Sequence, residues 1–149
     1  MKFEIQKINT SSAEYAYARH IRHVVFVDEQ GVSPKDEYDE HDANANHFLL
    51  QIDDDEVLIP CGTARWRITE HGVKLERFAV LSEHRGNKMG QALVNAVLED
   101  IHQNTEANKQ KLYLHAQLQA CSLYERFGFL KEGDMFEECD IQHFKMVKN

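Results

Sequence analysis

A polar stretch with two glycines has the residue types of an anion-binding turn. It reads Arg85-Gly-Asn-Lys-Met-Gly90 and lies between an apolar strand pattern and a helix pattern over residues 88–103. Free N–H groups and the dipole at a helix start attract phosphate, and Gly86 and Gly90 allow close backbone approach. A phosphate site and an ordinary glycine turn both fit this pattern. A P-loop and a dinucleotide-binding fingerprint do not fit it, because their glycine spacings are absent.

A second stretch places a tyrosine and a cysteine on a short predicted helix. It reads Ala120-Cys-Ser-Leu-Tyr-Glu-Arg-Phe-Gly-Phe129, with Gly128 as the expected helix end. A phenol can exchange a proton with a reacting group, but Tyr124 taken alone fits core packing better than catalysis. Cys121 fits a buried thiol better than a nucleophile, because no base is placed to activate it. The nine histidines lack metal-ligand spacing, so we predict no metal site.

The elements that must position these stretches follow the order β-α-β-β-β-α-β-α-β-β. Periodicity predicts helices over 12–27, 88–103 and 120–127, and strands over 2–8, 47–52, 57–69, 73–81, 112–116, from 129 onward and over 141–147. This order predicts an α/β fold with a mixed sheet and helices on its faces. The strand–helix–strand unit over 77–116 predicts a right-handed crossover between locally parallel strands. Residues 28–46 are strongly acidic and are either a solvated loop or a functional one.

Length and composition restrict the class of protein further. A chain of 149 residues predicts one domain over 1–149, and a net charge of −8 argues against non-specific nucleic-acid binding. We predict no membrane association, because no apolar run approaches the roughly 18 residues that span a bilayer. The three cysteines are far apart, which favours reduced thiols and a cytoplasmic location over a disulfide framework.

The two stretches together, about thirty residues apart, resemble the signature of the GNAT superfamily of N-acetyltransferases. That signature is Arg/Gln-x-x-Gly-x-Gly/Ala at a helix start, followed downstream by Ala-x-x-x-Tyr-x-x-x-Gly-Phe. The segments that begin at Arg22 and at Glu138 are similar to the ElaA-like branch of small bacterial GNAT proteins. The resemblance implies a mixed, mostly antiparallel, twisted sheet of six to seven strands with helices on both faces. One position departs from the signature, since Lys88 stands where its first glycine is expected.

The resemblance implies acetyl-CoA as co-substrate and assigns residues to it. The pantetheine arm is expected to pair along a strand, the pyrophosphate to lie on a helix start, and an amide to contact the pantetheine. Tyr124 is expected to be the general acid that protonates the departing thiolate. The cofactor-binding residues are therefore predicted to be Phe78, Ala79, Val80, Arg85, Gly86, Asn87, Lys88, Met89, Gly90, Gln91, Gln117 and Tyr124.

The acceptor site is less defined by the sequence. The attacking amine must lose a proton, and the candidate bases are Glu76, His115 and Glu29. Of these, Glu76 is the one that we predict to be catalytic. Strict alternation would put Glu76 and Phe78 on one strand face. The predicted substrate contacts are Arg22, Phe26, Glu29 and Gln30. Arg22 alternatively forms a structural ion pair with the acidic residues, and Phe26 alternatively belongs to the core.

The expected activity is direct acetyl transfer to a primary amine of a small molecule or peptide. Two alternatives stay open: a catalytically silent CoA-binding or regulatory module of the same fold, and an acyltransferase that uses a longer acyl-CoA. A homodimer that pairs through terminal strands is compatible with the sequence.

Overall fold

Residues 2–149, which the computed structural model describes, form one sheet of seven strands flanked by helices. The strands are β1 (Phe3–Ile8), β2 (Asn46–Asp54), β3 (Val57–Thr69), β4 (Gly72–Val80), β5 (Leu112–Gln117), β6 (Leu130–Glu138) and β7 (Ile141–Lys148). The α-helices are α1 (Tyr15–Arg22), α2 (Pro34–Glu37), α3 (Met89–Gln103) and α4 (Cys121–Glu125). The strand order is β1-β2-β3-β4-β5-β7-β6, and the pairs are antiparallel except for β4 with β5. The predicted α/β class and mostly antiparallel mixed sheet are confirmed.

Alternation along the strands gives the sheet two apolar faces, and each face is covered by a helix. Phe48 and Leu50 of β2 pack in the same cluster as Leu93 and Val97 of α3. Leu49, between them, packs in a second cluster with α1. Because neighbouring side chains of a strand point to opposite faces, α3 and α1 lie on opposite sides of the sheet.

The first helix differs from its predicted bounds at both ends. The sequence pattern indicated a helix over 12–27, whereas α1 begins at Tyr15 and continues after Arg22 into a π-helical segment, His23–Glu29. The wider π-helical turn changes which residues share a face, so a 3.6-residue pattern does not describe this segment. The segment ends at Glu29, with Gln30 as its C-cap and Gly31, at φ 75°, directly after it.

A bulge in β4 corrects the predicted placement of Glu76 and Phe78. Across from β3, Arg65 pairs with Glu76 but Thr63 pairs with Ala79, so β4 carries one extra residue. Arg77, in this interval, has a left-handed φ of 60°. The extra residue reverses the alternation. Phe78 therefore packs in the α3 cluster with Leu75, and Glu76 does not share its face.

The acidic segment, residues 28–46, is not the solvated loop that was one of the two expectations. It forms α2 and a short 3₁₀ turn at Asp42–Asn44, and its carboxylates bind arginines of other elements. Arg22 donates to Glu37 at 2.7 Å and to Asp42 at 2.9 Å, and both the Arg22 and Glu37 side chains are 1% exposed. The full network joins Arg22, Arg65 and Arg77 to Glu37, Asp39 and Asp42.

The network also holds the β4 bulge. Arg77 donates to Glu37 at 3.0 Å and to Asp39 at 3.1 Å. A non-glycine residue in the left-handed region costs roughly 1–2 kcal/mol. The two ion pairs therefore hold Arg77 in a conformation that its backbone alone disfavours.

Strands β4 and β5 separate soon after they meet. Their parallel pairing includes Val73 with Leu112 and Lys74 with Tyr113, and it does not extend beyond these two pairs in residues 2–149. Beyond this point the C-terminal half of β4 has no partner strand on that side. The sheet therefore opens at the carboxyl ends of its two parallel strands, where α3 and α4 begin.

No helix within residues 2–149 has both the length and the apolar character needed to cross a bilayer.

Candidate functional site

Two cavities meet where β4 and β5 separate. One, which we name the loop groove, has a volume of about 370 Å³ and lies beside the turn that starts α3. The other, which we name the hairpin cavity, has a volume of about 170 Å³ and is closed by the β6–β7 hairpin and the acidic segment. Phe78, Ala120 and Tyr124 line both cavities.

The loop groove brings together most of the residues predicted to bind the cofactor. It is lined by Phe78, Ala79, Val80, His84, Arg85, Gly86, Lys88, Met89, Gly90, Gln91, Leu93, Ala120, Leu123 and Tyr124. Two predicted residues lie elsewhere. The Asn87 side chain donates to the His84 carbonyl at 3.1 Å, and Gln117 lines the hairpin cavity instead. His84, Leu93, Ala120 and Leu123 also line the groove and were not among the predicted residues.

Gly90 lies in the first turn of α3, and the fold itself does not require a glycine there. It has no left-handed φ, and a Cβ added to it would meet only Leu123 Cδ2, at 3.5 Å, an ordinary contact. Glycine in a helix costs roughly 1 kcal/mol relative to alanine. Gly86 differs, because its φ of 88° itself favours glycine. The bare surface at Gly90 fits a group that approaches the start of α3 from the loop groove.

Lys88 immediately precedes α3 and has a left-handed backbone, φ 63° and ψ 18°. This conformation is the one that glycine adopts without strain. The position therefore favours glycine because of its backbone dihedrals and not only because of the space around a Cβ. Lys88 is one of the residues that line the loop groove.

Arg85 is held by an ion pair rather than left open to the groove. Its two terminal nitrogens lie 2.6 and 2.8 Å from the Glu29 carboxylate, and Nε donates to the Val80 carbonyl at 2.8 Å. The hydrogen bond from Arg85 lowers the pKa of Glu29. Glu29 lies outside the lining of the hairpin cavity, and these facts weaken it both as a base and as a substrate contact.

Tyr124 lies on α4, with its ring between two aromatic neighbours. The ring centroids of Phe78 and Phe129 lie 5.7 and 6.3 Å away, both in edge-to-face arrangements. Burial raises the pKa of the phenol well above its usual value, so it stays protonated at neutral pH. No hydrogen bond within residues 2–149 engages its hydroxyl. A buried phenol normally has a partner, so this hydroxyl is available to a bound group.

Glu76 lies in the wall of the hairpin cavity but has the wrong properties for a base. Arg65 and Arg67 bind its Oε2 at 2.6 and 2.8 Å, and Lys74 lies 3.4 Å from Oε1. Burial opposes its charge, but these cations outweigh burial and lower the pKa of Glu76 to about 2. A carboxylate with so low a pKa is a poor proton acceptor. These ion pairs therefore argue against Glu76 as the base.

The predicted substrate residues divide between the cavity and the interior. Phe26 and Gln30 line the hairpin cavity. The Gln30 and Gln117 side chains exchange hydrogen bonds of 2.8 and 3.4 Å, which connect the first helical segment to β5 across the opening. Arg22 does not reach the cavity, because Glu37 and Asp42 hold it inside the ion-pair network. Arg22 therefore forms the structural ion pair with the acidic residues that was the alternative to substrate binding.

Four residues of the β6–β7 hairpin line the hairpin cavity and were not predicted: Glu138, Cys139, Ile141 and His143. His115 on β5 lies 2.9 Å from the Glu138 carboxylate, and the His143 ring stacks on Phe136 at 5.8 Å. Glu138 and His143 lie far along the chain from the two motifs. In the sequence, Glu138 and His143 are only polar residues beside the hairpin turn.

The cysteines show no sign of activation. Burial raises the pKa of Cys61 to about 11 and also raises the pKa of Cys121. The Cys121 sulfur lies 3.7 Å from the Gln117 carbonyl, which is not a base. Within residues 2–149, no group of three or more His, Cys, Asp and Glu side chains is arranged to hold a metal ion.

Comparisons with known proteins agree with this geometry. A family model described as "Acetyltransferase (GNAT) domain" matches residues 12–149. YjcF of Bacillus subtilis (strain 168), an uncharacterized N-acetyltransferase, is 32% identical over 134 residues, which are 89% of this chain and 90% of YjcF. The crystal structure of Escherichia coli ElaA superposes with a TM-score of 0.85 at 26% identity and covers 99% of this chain and 100% of ElaA.

A more distant structure shares the fold. Arabidopsis thaliana NAA60 in complex with acetyl-CoA has a TM-score of 0.72 at 13% identity, and the match covers 99% of this chain and 98% of NAA60. The family model and the likeness to ElaA lead to one assignment. The chain belongs to the GNAT family of acetyltransferases, in its ElaA-like branch.

Proposed function

We propose that the protein is an acetyl-CoA-dependent N-acetyltransferase that transfers acetyl directly to a primary amine of a small molecule or peptide. One observation carries this proposal. Tyr124 lines both cavities, so a thioester placed in the loop groove and an amine placed in the hairpin cavity would meet at its hydroxyl. The phenol is protonated and has no hydrogen-bond partner within residues 2–149.

The loop groove offers contacts for two parts of acetyl-CoA, its pyrophosphate and its pantetheine arm. The start of α3 offers free backbone N–H groups to the pyrophosphate, and Gly90 leaves room for its approach. Phe78, Ala79 and Val80 lie at the unpaired side of β4, where the pantetheine arm would add like a strand. NAA60, which holds acetyl-CoA in its structure, has the same fold and supports this choice.

The residues at the junction have complementary parts in the reaction. A neutral amine nitrogen attacks the thioester carbonyl carbon, and a backbone N–H of the bulged β4 segment stabilises the charge that develops on oxygen. Tyr124 donates its proton to the leaving sulfur as the C–S bond breaks. Because burial disfavours the phenolate, the proton lost by the new amide nitrogen must return to Tyr124 in the same event.

Direct transfer is favoured over a covalent cysteine intermediate. Cys121 is buried, its thiol pKa is raised, and its nearest polar partner is a carbonyl oxygen. A thiol of this kind is a poor nucleophile at neutral pH. Cys61, Cys121 and Cys139 are all free thiols, which supports our further proposal of a cytoplasmic location.

A screen of amines tests the proposed function. Purified protein is incubated with acetyl-CoA and a panel of small primary amines and peptides, and free CoA thiol is measured along with the acetylated product. We expect thiol release above the rate of hydrolysis with at least one amine. Stabilisation of the protein by acetyl-CoA in a thermal shift assay, without thiol release on any amine, would identify a silent CoA-binding module instead. Competition with longer acyl-CoA chains distinguishes an acetyltransferase from a broader acyltransferase.

A further inference from the structure

The hydrogen bonds around His115 determine which of its ring nitrogens can accept a proton. His115 Nδ1 lies 2.9 Å from Glu138 Oε2. The hydrogen bond from His115 lowers the pKa of Glu138, so Glu138 is a carboxylate at neutral pH. A carboxylate only accepts hydrogen bonds, and Nδ1 therefore carries the proton. In neutral His115 the lone pair is left on Nε2.

His115 lies in the same cavity as Tyr124 and close to the acceptor side. Its side chain is 25% exposed and lines the hairpin cavity, with Gln117 two residues further along the same strand face. His143, the other histidine of this cavity, is only 6% exposed, and its Nδ1 donates to the Ile141 carbonyl at 2.7 Å. His115 is therefore the more accessible imidazole.

The other candidate bases are held by cations. Glu76 is bound by Arg65 and Arg67 and has a pKa of about 2. Glu29 is bound by Arg85 and does not line the hairpin cavity. Among residues 2–149, the recorded polar contact of the His115 ring is at Nδ1, and no hydrogen bond or ion pair engages Nε2.

We propose that His115 is the proton acceptor for the attacking amine and that Glu138 is the positioning residue that orients it. This assignment rests on the proposed function. The acceptor enters as an ammonium, and one of its protons passes to His115 Nε2, which makes an imidazolium beside the Glu138 carboxylate. The neutral amine then forms the C–N bond as the C–S bond breaks. Its second proton reaches the sulfur by way of Tyr124, and His115 releases the first proton to solvent.

Several charged groups surround this pair. They lie on β4, on the β6–β7 hairpin and on the acidic segment that closes the cavity. They are Lys74, Glu76 and Arg77 on β4, Glu138 on β6, His143 and Lys145 on β7, and Asp36 and Glu37 on α2. Among them Glu138 is in direct contact with the His115 ring nitrogen, so its removal has the largest expected effect.

A pH profile of kcat/KM tests the pair once a productive amine is known. We expect wild-type kcat/KM to fall at low pH along one limb, because a protonated acceptor group cannot take a proton from the amine. His115→Asn should lose that limb and about 100-fold in kcat/KM. Glu138→Gln should lose about tenfold and move the limb to lower pH, because a negative charge that favours the imidazolium is gone. Glu137→Gln, at an exposed neighbour, should leave the profile unchanged.

Two further measurements separate chemistry from folding. Acetyl-CoA should stabilise each variant in a thermal shift assay as it does the wild type, and free imidazole should restore part of the rate of His115→Ala. If the wild type is active and His115→Asn keeps the same rate and pH profile, the assignment of His115 as proton acceptor is wrong, while the proposed function is unaffected. A slower Glu138→Gln whose limb does not move would overturn the role of Glu138. A wild type inactive on every amine would overturn the proposed function and this assignment with it.

Discussion

The ring of Phe78 meets the ring of Tyr124 edge to face, with centroids 5.7 Å apart. This contact joins the bulged end of β4, which leads into the first sequence motif, to α4, which carries the second. The bulge at Arg77 turns Phe78 toward the α3 side, and without it Phe78 would share a face with Glu76. The extra residue in β4 therefore brings the motifs together at the junction of the loop groove and the hairpin cavity.

Replacement of Gly90 by alanine should separate stability from cofactor binding. Gly90→Ala removes a helix-weakening glycine, and we expect the free energy of unfolding of the free protein to rise by up to about 1 kcal/mol. The added methyl group faces the proposed pyrophosphate position, so affinity for acetyl-CoA should fall about tenfold, or about 1.4 kcal/mol. Calorimetric titration and thermal unfolding measure the two effects. Asn95→Ala, at an exposed site on the same helix, should leave affinity unchanged, and equal affinity in Gly90→Ala would argue against this groove as the site.

Two variants of Lys88 separate the effect of its left-handed backbone on stability from the effect of its charge on cofactor affinity. Lys88→Gly relieves the left-handed strain and removes the ammonium, whereas Lys88→Ala removes the ammonium only. We expect Lys88→Gly to be more stable than Lys88→Ala by about 1 kcal/mol in chemical unfolding. If both variants lose affinity for acetyl-CoA equally, the ammonium contacts a phosphate. Equal stability of the two variants would contradict the assigned strain.

Glu29 should compete with the cofactor for Arg85. The two side chains form an exposed bidentate ion pair at the edge of the loop groove, and such pairs contribute about 0–1 kcal/mol. Glu29→Gln should therefore change stability little and raise affinity for acetyl-CoA a few-fold, because the guanidinium is free for phosphate. Calorimetry checks this, with Asp28→Asn as the neighbouring control. Weaker binding by Glu29→Gln would show that Glu29 instead holds Arg85 in its binding position.

Glu76 should act on stability in a way that depends on pH. Its folded pKa of about 2 lies below its ordinary value of 4.5, so its contribution is fully present above about pH 4.5 and is lost as pH falls through about 2. Glu76→Gln removes one of the three carboxylates that bind buried Arg65 and should cost about 3 kcal/mol at pH 7. The difference from wild type in chemical unfolding should shrink as pH is lowered toward 3. An exposed control, Glu4→Gln, should show neither effect, and a constant difference would contradict the assigned pKa.

The sequence was informative where a function is carried by local spacing. The glycine turn at 85–90 and Tyr124 each lie in a short motif, and the order of strands and helices follows from periodicity alone. The bulge at Arg77 was invisible, because its ion pairs come from Glu37 and Asp39, about forty residues away. Glu138 and His143 were missed for the same reason, since strand pairing and not sequence proximity brings them to His115. Arg22 and Glu76 carry charges that suit a site, and only the packed structure shows that other charges neutralise them.

Replacement of Tyr124 by phenylalanine tests the central claim most directly. Thiol release with a productive amine and affinity for acetyl-CoA are measured for wild type, Tyr124→Phe and the exposed control Tyr17→Phe. We expect Tyr124→Phe to lower kcat at least about 100-fold and to leave acetyl-CoA affinity nearly unchanged, while Tyr17→Phe behaves as wild type. Normal turnover by Tyr124→Phe, or weak cofactor binding with normal turnover, would contradict Tyr124 as the acid at the junction of the two cavities.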